Sequence, residues 1–342
     1  MDVIVIKKRI DYIDFLRGVS ILLMVMGHIG FTRYFDKYIH MFHMPIWFFI
    51  SGYFFKENNV KFAVFLKKRS LNLIVPYLFW GMFHYPLWII LLYDDQLNLL
   101  VPLKNLFWVN TNLEMPIAGA LWFLTALFFS ELIMYIVVLR IKNQYCKDAI
   151  VVILSLFGCM INSVLNFRLP WALDSSLVGF GFMYLGFIYK QQSERKIMKR
   201  IGNLSWIEIL IGFIINILMC FVNGYVNMRT GSYGFIPLFW FNAVTSIIIY
   251  WNLSKKLCGL LYFKQHPFLT KSVKQVGKYS IIFLCLNQLI ILLVDNVLTS
   301  LIRIECNKIL INCIELIICM IILYIICIAV SKTKLKKLFG MN

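Results

Sequence analysis

The chain has 342 residues, of which 61% are hydrophobic and only 15% are charged, and its mean hydropathy is +0.79. Soluble domains carry about a quarter charged residues, so this composition excludes a water-soluble globular protein. The formal net charge of +18 would suggest a nucleic-acid partner if the basic residues formed a soluble patch. No basic, aromatic-interleaved module interrupts the apolar segments, and nucleic acid is therefore excluded as a partner.

Apolar segments of about 20 residues recur along the whole chain, and this is the length that an α-helix needs to cross a bilayer. We therefore expect an all-α integral membrane protein with about ten transmembrane helices. They would form a single membrane domain over residues 1–342, without a soluble domain. The predicted spans are residues 10–30, 40–55, 70–93, 119–139, 148–167, 173–189, 204–223, 234–254, 279–298 and 309–331.

The basic residues are divided unevenly between the predicted loops. With the N-terminus inside, the cytoplasmic segments hold 26 Lys and Arg and the external loops hold 7, while Arg17 lies within the first span. Cytoplasmic loops of membrane proteins carry such an excess, so we expect both termini in the cytoplasm. The lysine-rich connection over residues 254–278 is typical of a segment that binds anionic membrane lipids.

Three ionisable residues interrupt the first predicted helix: Asp14, Arg17 and His28. At 100° per residue, the eleven-residue step from Arg17 to His28 exceeds three turns by about 20°, so both share one face, about 16 Å apart. Asp14 precedes Arg17 by one turn and can pair with it. An ion pair that only orients the helix, and a polar helix end at His28, are the structural alternatives. Ionisable groups inside membrane helices usually face a protein interior, which favours a functional role.

The run RIDYIDFLRGVSILLMVMGH, which ends at His28, closely resembles the opening of the membrane acyltransferase 3 family, including the ten residues between Arg17 and His28. The resemblance continues in family order through five further segments and covers nearly the whole chain. The FHMP version is similar to the branch of fucose 4-O-acetylase-like and polysaccharide O-acetyltransferases. The five segments are FHMPIWFFISGYF (42–54), KKRSLNLIVPY (67–77), ALWFLTALFFSEL (120–132), LPWALDSSLVGFGFMYLGF (169–187) and GKYSIIFLCLNQLI (277–290).

The resemblance implies a membrane O-acetyltransferase that moves an acetyl group from cytoplasmic acetyl-CoA to a sugar hydroxyl of a cell-envelope or surface polysaccharide. Acetyl-CoA would be the acyl donor, and a glycan or lipid-linked sugar would be the acceptor, at a bacterial cytoplasmic (inner) membrane. A homo-oligomer or a polysaccharide biosynthesis complex is the expected assembly. Two alternatives stay open: a glycan exporter, because intramembrane charges also line transport paths, and a non-catalytic scaffold of polysaccharide biosynthesis.

By this resemblance, Arg17 and His28 are the essential pair of the family. A neutral imidazole in an apolar cavity can take the hydroxyl proton near physiological pH, so we expect His28 to act as the general base. Arg17 would organise the donor channel through bonds to coenzyme A or to Asp14. A cytoplasmic basic cluster is expected to hold the coenzyme A phosphates, although such a loop would be basic for topological reasons alone. It consists of Lys67, Lys68 and Arg69.

Four further residues are candidates for acceptor binding, each with a structural alternative. His43 could instead make a structural hydrogen bond to a neighbouring helix, and Trp122 could belong to the aromatic belt at the membrane interface. Glu131 lies near the middle of the fourth helix, where a carboxylate is often the interior partner of a cation. Asp174 could cap its helix together with Ser175.

The chain departs from the family pattern at Asn72, where relatives often have a second arginine, and at Asn287, where they often have histidine. The second departure either argues against an essential histidine in the ninth span or marks a divergent acceptor preference. The nine cysteines include no CxxC pair, and no His, Cys or carboxylate spacing recurs, so we expect no metal site.

Overall fold

The computed structural model of the protein describes residues 10–57, 60–92, 98–112, 115–260, 267–301 and 307–341. Helices account for most of this part of the chain, and the β pairing within it is a single antiparallel bridge between Asn227 and Ser232. Helices are the expected outcome, because the backbone of an apolar chain in lipid must satisfy its hydrogen bonds within each segment.

Fifteen α-helices lie in the described residues, and short turns of other helix types connect several of them. A π-helix (Ser70–Ile74) joins α4 to α5, and 3-10 helices cover Asn110–Asn112, Pro116–Leu121, Pro170–Ala172 and Lys334–Phe339. The α-helices are α1 (Asp11–Ile29), α2 (Arg33–His40), α3 (His43–Tyr53), α4 (Phe62–Arg69), α5 (Val75–Leu92), α6 (Leu100–Phe107), α7 (Trp122–Arg140), α8 (Gln144–Leu165), α9 (Leu173–Gln191), α10 (Lys196–Ile201), α11 (Trp206–Val222), α12 (Ile236–Gly259), α13 (Pro267–Lys278), α14 (Ser280–Leu301) and α15 (Lys308–Ser331).

Eight helices of the described residues are long and apolar enough to cross a membrane. Each coincides with one of the predicted spans. They are Asp11–Ile29, Phe62–Leu92, Pro116–Arg140, Gln144–Leu165, Pro170–Gln191, Ile236–Gly259, Ser280–Leu301 and Lys308–Ser331.

The other two predicted spans correspond to shorter helices. The span expected at 204–223 is α11, an apolar helix of 17 residues. The segment predicted at 40–55 contains α3, which has 11 residues and extends about 16 Å along its axis. Its apolar side chains do not face lipid: most of α3 is buried inside the bundle.

The first helix lies at the centre of the arrangement and contacts α2, α3, α12, α13, α14 and α15. Two glycines let α13 approach it closely. A Cβ on Gly18 would lie 2.2 Å from the carbonyl oxygen of Val273, and one on Gly277 would lie 1.9 Å from that of Asp14. This contact brings Lys278, at the end of α13, to the same end of the bundle as Arg17.

The opposite end of α1 is fixed by a glycine cap. Gly30 adopts a left-handed conformation with φ 81°, and its N–H donates to the carbonyl of Met26. Asn312 of α15 donates to the Gly30 carbonyl at 3.2 Å. His28 therefore lies in an anchored last turn of the helix.

The outer helices expose apolar side chains, whereas the inner ones are buried. On α8 and α11, large aliphatic and aromatic residues are accessible over most of their length, which suits a surface in contact with lipid chains. Examples are Val152, Ile153, Phe157, Ile207, Leu210 and Leu218.

Candidate active site

The polar stripe of α1 has the predicted arrangement. An Arg17 guanidinium nitrogen lies 3.5 Å from the Asp14 carboxylate, and the guanidinium carbon lies 5.3 Å from the centre of the Phe54 ring. Asp14 and Arg17 therefore pair as expected. His28 lies in the last turn of the same helix, with its ring accessible in the wall of a cavity.

Arg17 lines a cavity of about 240 Å³, which we name the Arg17 cavity. Its cationic groups are Arg17 and Lys278, and Ser51 and Ser280 add two hydroxyls. The remaining wall is apolar and combines side chains from α1, α3, α7 and α14. It includes Ile21, Trp47, Phe123, Leu124, Leu127 and Ile281.

His28 lines a second cavity of about 220 Å³, which we name the His28 cavity. This cavity is mainly polar, and its side chains come from α1, α2, α3, α7, α14 and the turn before α12. They include His28, His40, His43, Asn227, Arg229 and Gln288. Met24, Met44 and Leu284 line both cavities, so the two spaces adjoin each other at these three side chains.

Carboxylate and carbonyl groups orient two of the three imidazoles. His40 Nδ1 lies 3.1 Å from an Asp36 carboxylate oxygen and 2.9 Å from the Asp36 backbone carbonyl oxygen. Tyr225 donates its hydroxyl to the other Asp36 oxygen at 3.0 Å. His43 Nδ1 donates to the Ile39 carbonyl at 2.8 Å, which leaves its Nε2 as the acceptor nitrogen of the neutral ring.

The Asp36 carboxylate is held in its charged form. Burial opposes ionisation, but the hydrogen bond and charge of His40, together with the Tyr225 hydroxyl, outweigh it and hold the pKa of Asp36 below its ordinary value. Conversely, burial and the neighbouring Asp36 charge raise the pKa of Tyr225 to about 12. The pair of Asp36 and His40 thus places an imidazole held by a carboxylate in the wall of the cavity.

Gln288 connects α14 to both His28 and the end of the 3-10 helix before α7. Its Oε1 accepts the backbone N–H of Ala120 at 2.8 Å, and its Nε2 lies 3.4 Å from His28 Nδ1. Because the amide nitrogen can only donate, His28 Nδ1 is the acceptor, and it carries the lone pair of the neutral ring.

Arg229 extends into the His28 cavity from the turn between α11 and α12. Its Nε donates to the Thr111 carbonyl at 3.2 Å, and its backbone N–H donates to the Asn227 side chain at 2.9 Å. Burial and the neighbouring charge of Arg168 lower the pKa of Arg229. The cavity thus contains a guanidinium that backbone contacts hold in place.

Asp174 has a different environment from the ones expected. It is buried and pairs with Arg168, whose guanidinium also donates to the Ser175 hydroxyl at 3.0 Å and to the Arg229 carbonyl at 2.6 Å. No side-chain cap closes the N-terminus of α9, so the capping alternative for Asp174 and Ser175 is wrong. Asp174 instead helps to hold the turn that carries Arg229.

The members of the predicted basic cluster, Lys67, Lys68 and Arg69, have different environments. Arg69 Nε lies 2.9 Å from the buried carboxylate of Glu131 on α7, and its guanidinium carbon lies 5.4 Å from the Phe65 ring. Glu131 is therefore the interior partner of a cation, as one of the two alternatives predicted. Lys67 and Lys68 are exposed.

The environment of Trp122 contradicts its structural alternative, a position in the aromatic belt at the membrane interface. Its side chain is only 5% exposed, and it lines the His28 cavity with His43. Tertiary packing turns this end of α7 towards the protein interior. The structure therefore brings His28, His43 and Trp122 together, while Arg17 lies in the adjoining cavity.

Several site residues were missed in the sequence, among them His40, Arg229, Gln288 and Lys278. His40 precedes His43 by one helical turn, a spacing that could have indicated it. Gln288 and Lys278 lie within a quoted family segment but carry no signal of their own, and Arg229 lies in a loop. The described residues contain no group of three or more His, Cys, Asp or Glu side chains that could hold a metal ion.

Comparison with known proteins identifies the family of the chain. A model of the acyltransferase domain of the acyltransferase 3 family matches residues 10–332. Nodulation protein NolL of Mesorhizobium japonicum is 27% identical over 197 residues, which cover 52% of this chain and 47% of that protein. Nodulation protein NolL of Sinorhizobium fredii is 26% identical over 200 residues, covering 54% and 49%.

The aligned region thus spans about half the length of these curated relatives. No solved structure matches the chain. The family model, in contrast, extends from the start of α1 to the end of α15 and includes both cavities. The chain belongs to the acyltransferase 3 family.

Proposed function

We propose that this protein is a membrane O-acetyltransferase that transfers an acetyl group from acetyl-CoA to a sugar hydroxyl of a cell-envelope or surface polysaccharide. The observation that carries the proposal is the pair of adjoining cavities. One is apolar with a cationic end at Arg17 and Lys278, and the other is polar and contains His28. Two substrates of different polarity can therefore meet inside one bundle.

The Arg17 cavity suits the donor. Cationic groups favour the phosphates of coenzyme A, and an apolar passage suits the pantetheine arm and the acyl group. The exposed Lys67 and Lys68 add positive charge that would attract the donor. With both termini on the cytoplasmic side of a bacterial inner membrane, acetyl-CoA would enter the Arg17 cavity from the cytoplasm.

The His28 cavity suits the acceptor. A sugar offers several hydroxyls, and His43, Asn227 and Arg229 offer polar groups to bind them. The Trp122 ring in the same wall provides a flat apolar surface for a sugar face. A glycan or lipid-linked sugar is therefore the acceptor class that we propose.

The chemistry requires one proton acceptor and exclusion of water. The sugar hydroxyl takes the place of the Gln288 amide N–H at Nδ1 of His28. As the hydroxyl oxygen forms its bond to the acetyl carbon, its proton moves to this nitrogen, and the bond from the carbonyl carbon to sulfur breaks. The imidazolium of His28 then gives this proton to the thiolate of coenzyme A, which leaves as the thiol, and the neutral imidazole is restored. The apolar wall of the Arg17 cavity keeps water from the thioester before the acceptor arrives.

Substitution of His28 tests this function. General-base catalysis contributes about 10² to 10⁴ in rate, so His28→Ala and His28→Gln should both lose about 3 to 5 kcal/mol of transition-state stabilisation. Glycan acetylation is measured with membranes that contain equal amounts of folded protein, and acetyl-CoA binding is followed in parallel. Binding should survive in both variants. Near-wild-type turnover of His28→Gln would show that the imidazole only makes a structural hydrogen bond.

Mass spectrometry of surface glycans separates the enzyme from an exporter. Cells without the gene should lose acetyl groups from the glycan while its amount at the surface is unchanged. Unmodified glycan retained inside the cell would instead support export, and would overturn the proposed transfer reaction.

A further inference from the structure

The two cavities adjoin at three apolar side chains from three helices: Met24 of α1, Met44 of α3 and Leu284 of α14. We name this group the junction. All three side chains are almost fully buried, at 5%, 7% and 9% exposure. Material that passes between the cavities must therefore pass between tightly packed side chains.

The junction also lies between the two functional ends of α1. Met24 follows Arg17 by seven residues and precedes His28 by four. Along the α1 axis these steps correspond to rises of about 10 Å and about 6 Å. Around that axis, Arg17, Met24 and His28 lie within about 40° of one another. Met24 is thus on the line that leads from the cationic end of the Arg17 cavity to His28.

We propose that the junction selects the length of the acyl group and restricts the enzyme to short acyl donors such as acetyl-CoA. This inference rests on the proposed function. A donor whose phosphates bind near Arg17 and Lys278 directs its acyl end away from them, towards His28. The thioester carbon must reach a point that a hydroxyl in the His28 cavity can attack, and the acyl chain must then fit among Met24, Met44 and Leu284.

The physical basis is the cost of overpacking. An acetyl methyl group needs little space, whereas each further methylene must displace buried side chains or force them from their preferred rotamers. An apolar pocket discriminates by about 10- to 200-fold for one methylene. Methionine can adapt more readily than leucine, since its side chain is unbranched and flexible. Leu284 should therefore make the largest contribution to selectivity.

The experiment compares two donors in the same membrane preparation. The ratio of kcat/KM for butyryl-CoA to that for acetyl-CoA is measured for the wild type, Met24→Ala and Leu284→Ala. Because both donors encounter the same protein, the ratio is independent of how much has folded. Two controls truncate aliphatic residues of the same helices that lie outside the junction: Leu22→Ala on α1 and Leu293→Ala on α14, whose side chains are 36% and 41% exposed.

We expect the ratio to rise about 10-fold or more in each junction variant and to stay at the wild-type value in both controls. If Leu284→Ala does not insert, Leu284→Val removes less volume and should give a smaller rise. An unchanged ratio in active junction variants would overturn the inference and leave the proposed function intact, as would a wild type that uses both donors equally. Absence of transfer from either donor in the wild type would overturn the proposed function itself.

Discussion

Gln288 and His28 face each other across the wall of the His28 cavity, with the Gln288 amide nitrogen 3.4 Å from His28 Nδ1. The backbone N–H of Ala120 fixes the direction of the amide, because it can only donate and Gln288 Oε1 accepts it at 2.8 Å. A side chain that is remote in sequence therefore determines which nitrogen of neutral His28 carries the lone pair.

Replacing Gln288 by glutamate should impair turnover. Glutamate keeps the acceptor for Ala120 but places a carboxylate beside His28, which favours the imidazolium form that cannot take a proton. We expect kcat to fall by about 10-fold or more, with the KM for acetyl-CoA unchanged. Gln275→Glu on α13 is the matched control, since Gln275 accepts a hydrogen bond from Tyr324 and would still do so. Equal loss in both variants would show a general effect of the added charge.

The Asp36 and His40 pair should also contribute to transfer. Asp36→Asn removes the charge that holds the His40 ring, and we expect acetylation to fall about 5- to 10-fold because the imidazole loses its orienting carboxylate. Asp148→Asn is the control, because Asp148 likewise accepts from a tyrosine, Tyr184, but lies on α8. If the two variants lose the same activity, Asp36 has no special role in the cavity.

The same pair predicts a pH dependence. The folded protein holds the pKa of Asp36 below its ordinary value, so the charged carboxylate is fully present at pH values above the ordinary pKa and is lost as the pH falls through the lowered one. Between pH 5 and 8 the Asp36 carboxylate stays charged. The activities of the wild type and Asp36→Asn should therefore differ by a constant factor across this range, and a difference that vanishes near pH 5 would contradict the assignment.

The ion pair between Arg69 and Glu131 should stabilise the fold. Removing one partner leaves the other uncompensated, and Glu131 is buried with 7% side-chain exposure. Arg69→Ala should therefore destabilise the protein by about 3 kcal/mol, measured as a lower thermal unfolding temperature in detergent. Lys67→Ala and Lys68→Ala should have almost no effect, since both side chains are exposed. A comparable loss from either lysine would show that the cluster acts as a unit.

Donor affinity should depend on the cationic end of the Arg17 cavity. Lys278→Glu reverses a charge in the cavity wall, and we expect the KM for acetyl-CoA to rise about 10-fold while the KM for the acceptor is unchanged. Lys271→Glu, an exposed position on the same helix, is the control. The pair Lys67→Glu and Lys68→Glu tests the basic cluster in the same way. Unchanged donor dependence there would make these two lysines topology anchors only.

The distribution of basic residues predicts the membrane orientation. Reporter fusions after Asn342 and within the loop at Asp94 should report opposite sides of the membrane, with Asn342 in the cytoplasm. The control is a fusion in the connection between α7 and α8, at Lys142, which should agree with Asn342. Reports from the same side at Asn342 and Asp94 would contradict the predicted spans.

The fold class follows from the sequence because it depends on local properties. Length and hydropathy of each segment decide whether a helix can cross lipid, and eight of the predicted spans coincide with such helices. The common face of Asp14 and Arg17 likewise follows from the helical repeat, and the two side chains pair. Hydropathy does not show whether a segment faces lipid or protein: α3 is as apolar as the outer helices, yet most of it is buried within the bundle.

The composition of the site depended on contacts between distant parts of the chain. Gln288 reaches His28 across 260 positions, and Trp122 faces the cavity because α7 packs with its first turn inward. The hydropathy of an aromatic residue near a helix end is the same whether its ring contacts lipid or lines a cavity. The position of the Trp122 ring could therefore not be predicted from its own segment. The sequence by itself determined the helical membrane class, the stripe on α1 and the family. Only the tertiary structure decided that Arg17 and His28 line separate cavities divided by Met24, Met44 and Leu284, because that division depends on how three helices pack against one another.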